Sequence, residues 1–371
     1  MMPFIDLATQ RERIREQLDA TLSKIINEGR YIFGPEVTEL ETRLAEFGQA
    51  SHALTCANGT DAISLPLMAW EIGPGDAVFV PSFTFASTAE VVALLGATPV
   101  FVDILPDTYC MDPDSLAASI EWAKGEPGLT PRAVIAVDLF GQPADYPAIS
   151  TLARSNGLKL IADSAQGFGC TLNDQHPVAW ADIATVSFYP AKPLGCYGDG
   201  GAVLTNDDEL AHLIKSLRNH GEGEARYAYD RIGMNSRLDT LQAGVLLAKL
   251  DVFADEINGR NRGAALYRRG LSNAVKTPVV IDGGVSVWAQ YTIEVADRDG
   301  FRAKLGEAGV PTAVYYPVPI HVQQPYAKYP QAPGGLPATE AAMSRVVSLP
   351  MDAYLESGRG AQVVEAVRNA L

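Results

Sequence analysis

The sequence predicts an α/β protein of two domains: a large one over residues 1–250, built on a largely parallel sheet, and a smaller α/β domain over residues 251–371. Three observations predict it. Between about residues 51 and 205, short β-branched runs alternate with helical stretches, the pattern left by a parallel sheet wrapped in helices. Beyond roughly Leu250 that rhythm gives way to a long helix, one alternating strand and a Pro-punctuated loop. Finally, 371 residues that are 47% hydrophobic are more than one core usually fills.

Taken in order, residues 10–30 read as an amphipathic helix, because Ile14, Leu18, Leu22, Ile25 and Ile26 recur at three- and four-residue steps. Strands follow at 77–80, 99–102, 133–137, 158–162, 183–187 and 202–205, each a short apolar run between turn signals. In the second domain, 288–295 alternates as a half-buried strand and 301–309 reads as a helix. No internal repeat or low-complexity tract interrupts the chain.

Composition narrows the function classes. Twenty-nine basic residues against 44 acidic ones give a net charge of -15, and the basic residues form no run or aromatic-interleaved patch. Nucleic acid is therefore not the expected partner. An anionic ligand would need locally placed arginines, helix N-termini or backbone amides. Cys56, Cys110, Cys170 and Cys196 lack CxxC spacing, which predicts buried free thiols rather than a disulfide framework or a zinc site. The histidines show no metal-ligand spacing either. The apolar stretch at 91–102 is too short to span a bilayer, and the N-terminus lacks a basic region followed by an apolar core. We expect a cytoplasmic enzyme with no membrane partner.

Neither GxGxxG after a strand nor GxxxxGK[ST] occurs, so dinucleotide and ATP binding are disfavoured. Three other features carry chemistry. Asn58-Gly59-Thr60-Asp61-Ala62 opens a helix whose free amides and positive end would accept a phosphate, although Asn58 or Thr60 would equally serve as an ordinary cap. Leu160-Ile161-Ala162-Asp163 is an apolar strand ending in a carboxylate, where ligands of such sheets gather. An anion there would keep a pyridine nitrogen protonated; a strand-end Asp also commonly caps the next turn. Thr185 to Lys192 carries a further strand into a loop, and Gly195 to Gly201 supply a glycine-rich turn. A partly desolvated lysine in that setting forms Schiff bases readily, whereas most lysines are simply solvated. Phosphate cradle, strand-end Asp and glycine-flanked Lys together are what a pyridoxal phosphate (PLP) site needs.

On these residues the chain resembles the DegT/DnrJ/StrS-type sugar aminotransferases, a fold-type I PLP family, over almost its whole length. The motifs are Gly34-Pro35-Glu36-Val37, Asn58-Gly59-Thr60-Asp61-Ala62, Pro81-Ser82-Phe83-Thr84-Phe85, Asp163-Ser164-Ala165-Gln166, Ser187-Phe188-Tyr189-Pro190 through Gly201, Asn235-Ser236-Arg237-Leu238-Asp239 and Ser348-Leu349-Pro350. The resemblance implies a mostly parallel seven-stranded sheet and a homodimer with shared active sites. It implies Lys192 as the lysine that carries PLP, Asp163 as partner of the ring nitrogen, Gln166 beside the ring hydroxyl and Phe85 stacked on the ring. Gly59, Thr60, Asp61 and Ser187 would hold the phosphate, with Asn235 reaching it from the second subunit.

The stretch Lys192 to Gly201, together with Val287-Trp288-Ala289-Gln290-Tyr291, is most similar to aminotransferases acting on UDP-2-acetamido-2-deoxy-3-oxo-glucuronate. That resemblance implies glutamate as amino donor, a UDP-linked 3-oxo sugar as acceptor, and a place in polysaccharide synthesis such as that of lipopolysaccharide O-antigen. Arg237, Tyr315, Tyr316 and His321 are the implied sugar-binding residues. Where that subgroup has His-Tyr-Pro, this chain reads Tyr315-Tyr316-Pro317, and a tyrosine cannot become cationic near neutral pH as histidine can. The alternatives are another nucleotide-linked 3- or 4-keto sugar, or a catalytically silent regulatory homologue. A dehydratase on the same scaffold would have histidine in place of Lys192.

Overall fold

The computed structural model describes residues 2–225, 227–355 and 358–371. Its strands are β1 (His52–Cys56), β2 (Asp76–Pro81), β3 (Thr98–Val102), β4 (Thr130–Val137), β5 (Lys159–Asp163), β6 (Thr171–Leu172), β7 (Ile183–Ser187), β8 (Gly201–Thr205), β9 (Gly284–Val285), β10 (Tyr291–Glu294) and β11 (Val346–Leu349). Seven of them form the main sheet in the order β1-β8-β7-β5-β4-β2-β3. Within it β8 alone runs antiparallel to its neighbours. Helices cover both faces, and each face has its own apolar core. Phe79, Val134, Leu160 and Leu204 point to one side, while Val78, Val80, Ile161 and Val203 point to the other.

Parallel strands end on the same edge, which is what assembles the site. Register places Val137 beside Asp163 and Asp163 beside Thr185. Gly201, at the start of the reversed strand β8, lies opposite both Cys56 and Ser187. The ends of β1, β4, β5 and β7 thus bring Asn58, Asp138, Asp163 and Ser187 to one rim.

Several elements depart from the sequence reading. The expected helix over 10–30 is two helices, Leu7–Arg13 and Arg15–Glu28, broken at buried Ile14. The break lets Gln10 reach Glu256 at 2.7 Å, while Ile25 packs against Gly244, where a Cβ would come within 2.7 Å of it. The long helix runs Thr240–Leu271 and so passes continuously through residue 250. Its first half is buried on nearly every side, which erases the amphipathic period that marks a helix in sequence. Its second half supplies Ala264, Tyr267 and Leu271 to a separate core with β10, β11 and the helix Arg359–Ala370.

The strand read at 288–295 is shortened to β10. Trp288 sits at φ 49°, its carbonyl bonded to Arg260 and its indole N–H to Asn261, so it is pinned to the long helix instead of entering the ladder. The helix expected over 301–309 runs Arg298–Glu307, because the Asp297 side chain caps it by accepting from the Gly300 N–H at 3.0 Å.

Candidate active site

The helix Gly59–Ala69 begins at the sheet rim, capped by Asn58, whose Oδ1 accepts from the Asp61 N–H at 2.8 Å. Asn58 therefore does act as a cap. That leaves the amides of Gly59 and Thr60 without an intrahelical acceptor. A Cβ on Gly59 would lie 2.6 Å from Ser187 Cβ and 2.9 Å from its Oγ, and one on Gly201 would lie 2.4 Å from the Asn58 carbonyl. The missing side chains let the helix start and the end of β7 close together, so that Gly59, Thr60, Asp61 and Ser187 form one polar cradle.

Asp163 ends β5 and is 3% exposed. One oxygen accepts from the Ala165 N–H at 3.1 Å and the other from Thr88 Oγ1 at 3.2 Å. It caps the following turn and is also held from a second element. Burial raises its carboxyl above the ordinary value, opposed by the Ala165 N–H, the positive charge of Lys192 and the Thr88 hydroxyl. Lys192 is half-buried. Burial lowers its amine below the ordinary value while the charge of Asp163 pushes it back up. These two residues, far apart in sequence, are thus electrostatic partners across the rim.

Gln166 is locked in place: its Oε1 accepts from the Phe140 N–H at 2.9 Å and its Nε2 donates to the Tyr316 hydroxyl at 3.0 Å. Tyr316, raised well above its ordinary pKa by burial, stands edge-on to Tyr315 with ring centroids 5.9 Å apart. Burial also raises the Tyr315 hydroxyl above its ordinary value. Phe85 is 57% exposed, its ring available on the open side of the rim.

The remaining sequence candidates are His321, Asn235 and Arg237. His321 is turned to the sheet: its Nδ1 shares a hydrogen bond with Ser82 Oγ at 2.7 Å, its ring lies near Phe101, and Nε2 faces Glu340 at 3.7 Å. Burial lowers its pKa. Asn235 is exposed and pairs with Asn219 in an isolated bridge, and Arg237, two residues on, is half-buried. Among the described residues, Arg237 Nε is buried without a hydrogen-bond partner.

Asp138 was not singled out in the sequence, yet it supports the turn after Asp163. It accepts from Ser164 Oγ at 2.5 Å, from the Tyr146 hydroxyl at 2.7 Å and from the Ala144 N–H at 3.2 Å. Burial pushes its carboxyl up to about 7, against the pull of those donors. The signal for it was there, since β4 is an apolar strand running into a carboxylate just as β5 is. Thr88, in the first turn of the helix Ser87–Leu94, carried no such signal.

The sequence profile of the DegT/DnrJ/EryC1/StrS aminotransferase family matches residues 12–368. The chain belongs to that family. It is 46% identical, over the full length of both chains, to the UDP-2-acetamido-2-deoxy-3-oxo-D-glucuronate aminotransferase of Pseudomonas aeruginosa. A crystal structure of a DegT DnrJ EryC1 StrS aminotransferase from Brucella abortus is 50% identical, covering 100% of this chain and 99% of that one, with a TM-score of 0.98. The structure of S. venezuelae DesV in complex with a ketimine intermediate is 37% identical, covering 99% and 97%, with a TM-score of 0.93.

This DegT-family chain is therefore a PLP-dependent aminotransferase. The residues present fit the cofactor: an amide-rich cradle where a Cβ would intrude, a buried carboxylate, and a half-buried amine coupled to it. Among the described residues no cluster of side chains could hold a metal ion, and no helix is long and apolar enough to cross a membrane.

Proposed function

We propose that this aminotransferase moves the amino group of glutamate onto a UDP-linked 2-acetamido-3-oxo-glucuronate, in the cytoplasm, within polysaccharide synthesis such as that of O-antigen. The observation that carries the catalytic part is the coupling of Lys192 to Asp163 at the rim where the Gly59 cradle opens. Lys192 holds the cofactor. Gly59, Thr60, Asp61 and Ser187 would bind its phosphate, Asp163 would pair with its ring nitrogen, and Phe85 and Gln166 would hold its ring.

PLP, when bound, supplies an electron sink for the carbon that gains or loses the amino group. The chain's own residues do the rest. Lys192, with its amine eased toward the neutral form by burial, takes and returns the proton at Nζ. Asp163 would pair with the ring nitrogen, and Ala165 and Thr88 fix its orientation. Gln166 and Tyr316 form a rigid wall, since each holds the other in place. The two half-reactions share one site, so kinetics are ping-pong.

The uronate assignment is supported by Arg237, whose buried Nε lacks a partner among the described residues; a planar guanidinium suits a carboxylate. The name of the Pseudomonas relative points the same way. A homodimer completes the site by bringing Asn235 from the second subunit. Its segment lies in an apolar exposed region: Ile232 is 91% exposed, and exposed Ile32 bridges to Asp239. Within each subunit we divide the chain into a large domain over 1–250 and a small one over 251–371, the long helix serving both. The test is to incubate the enzyme with glutamate and a panel of 3- and 4-keto sugar nucleotides, with and without a uronate carboxylate, and to identify products by mass spectrometry. The reading requires amination of the 3-oxo uronate ahead of the others; a preference for a 6-deoxy or 4-keto acceptor rejects it.

A further inference from the structure

One face of the long helix Thr240–Leu271 is turned to the loop that carries Lys192. Gln242 and Lys249 lie two turns apart on that face. Gln242 Oε1 accepts from the Tyr197 N–H at 2.9 Å. Lys249 Nζ donates to the Gly195 carbonyl at 2.5 Å and lies 4.4 Å from the centroid of the Tyr197 ring. The loop between these anchors is folded tightly on itself. The Lys192 N–H bonds the Tyr189 carbonyl at 2.9 Å and the Cys196 N–H bonds the Phe188 carbonyl at 2.8 Å. At Gly195 a Cβ would come within 2.5 Å of the Tyr189 carbonyl oxygen, so this turn tolerates only glycine.

Lys249 is 1% exposed. An ammonium that deep is costly unless its donors are used, and a leucine would fill the same space. Among the described residues no carboxylate lies within ion-pair distance of it. Glu256, two turns further along the helix, is taken up by Gln10 and Tyr354. Burial pulls Lys249 down to about 8, with Glu256 and Cys196 opposing. The group retained at this cost has one loop carbonyl as its hydrogen-bond partner, three residues from Lys192.

We propose that Gln242 and Lys249 form a clamp that positions the Lys192 loop, with Lys249 acting through Gly195 and touching neither cofactor nor substrate. The proposal rests on the reading that Lys192 carries the cofactor. It accounts for a buried charge that the chemistry itself does not use.

The test takes the full-length protein stripped of cofactor and compares hydrogen exchange in peptides covering residues 188–201 for wild type, Lys249→Met and Gln242→Leu. The clamp predicts local acceleration of ~10-fold or more in the loop with unchanged exchange in the sheet. Reloaded with PLP, Lys249→Met should lose ~10-fold to 10²-fold in kcat with the KM for glutamate nearly unchanged, because the lysine is displaced and substrate binding is not. Loop exchange within twofold of wild type in a folded variant overturns the proposal. So does acceleration spread evenly through the sheet, which marks a general packing role. Should Lys249→Met fail to fold, Gln242→Leu decides by the same exchange criterion. The exchange arm contains no cofactor and so reports on the clamp alone, whereas borohydride trapping of PLP on another lysine would overturn the underlying reading.

Discussion

Replacing Asp163 by Asn removes one charge while keeping the shape of a side chain that is 3% exposed. Its amide can still accept from the Ala165 N–H, and Thr88 Oγ1 can accept from its NH2 group, so the turn should stay folded. What is lost is an anion beside a cation in a partly desolvated site. Two unit charges ~4 Å apart at an effective dielectric near 20 attract by ~4 kcal/mol. With part of that offset by the relieved cost of burying the carboxylate, ~3 kcal/mol of transition-state stabilisation disappears, or ~10²-fold in rate. The variant should still bind PLP, since the Gly59 cradle is untouched. Without Asp163 to raise it, the Lys192 amine should also titrate lower than in wild type. Each half-reaction is followed separately, with glutamate alone and then with the keto sugar nucleotide. A variant within twofold of wild type in both would refute the pairing.

Gly59→Ala should lower thermal stability by about 1–3 kcal/mol and weaken PLP binding, because its Cβ would meet Ser187 at 2.6 Å; cofactor titration with a melting curve checks both, and unchanged binding would remove Gly59 from the cradle. Asp138, raised to about 7 when folded, binds a proton more tightly in the native state than in the unfolded one, so its contribution to stability is present at low pH and is lost as pH rises from about 4 to 7. Asp138→Asn should therefore abolish that component of the slope, worth up to ~4 kcal/mol; parallel wild-type and variant curves of unfolding free energy against pH would contradict it. Arg237→Lys should raise the KM for a uronate acceptor sharply and spare the glutamate half-reaction. Impairment of both halves together would mean that Arg237 only shapes its loop.

The rim was legible because its parts announce themselves locally. Asp163 follows a continuous apolar strand, and Lys192 stands before a run of glycines that few loops need. The β4, β5 and β7 runs were readable for the same reason, since buried parallel strands are unbroken apolar segments. β1 was harder. His52-Ala53-Leu54-Thr55-Cys56 is short and chemically mixed, and it is identified by its pairing with β8 rather than by its own pattern.

The start of the long helix was missed where burial on all sides removes the helical period, and the end of the 288–295 run where Arg260 and Asn261 capture Trp288. Residues that act through long-range contacts left no local mark. Lys249 stands in Leu246-Leu247-Ala248-Lys249-Leu250 like any surface lysine on a helix, and only the fold brings it to Gly195. The contact of the His321 ring with Ser82 is likewise visible only in the fold.

The central claim is that Lys192 is the residue that carries the cofactor. Borohydride reduction of the PLP-loaded enzyme, followed by proteolysis and mass spectrometric mapping, tests it most directly. The account predicts a single reduced PLP adduct on the peptide containing Lys192, absent from Lys192→Ala, which should fold but not turn over. An adduct on a peptide without Lys192, or turnover by Lys192→Ala, would contradict it.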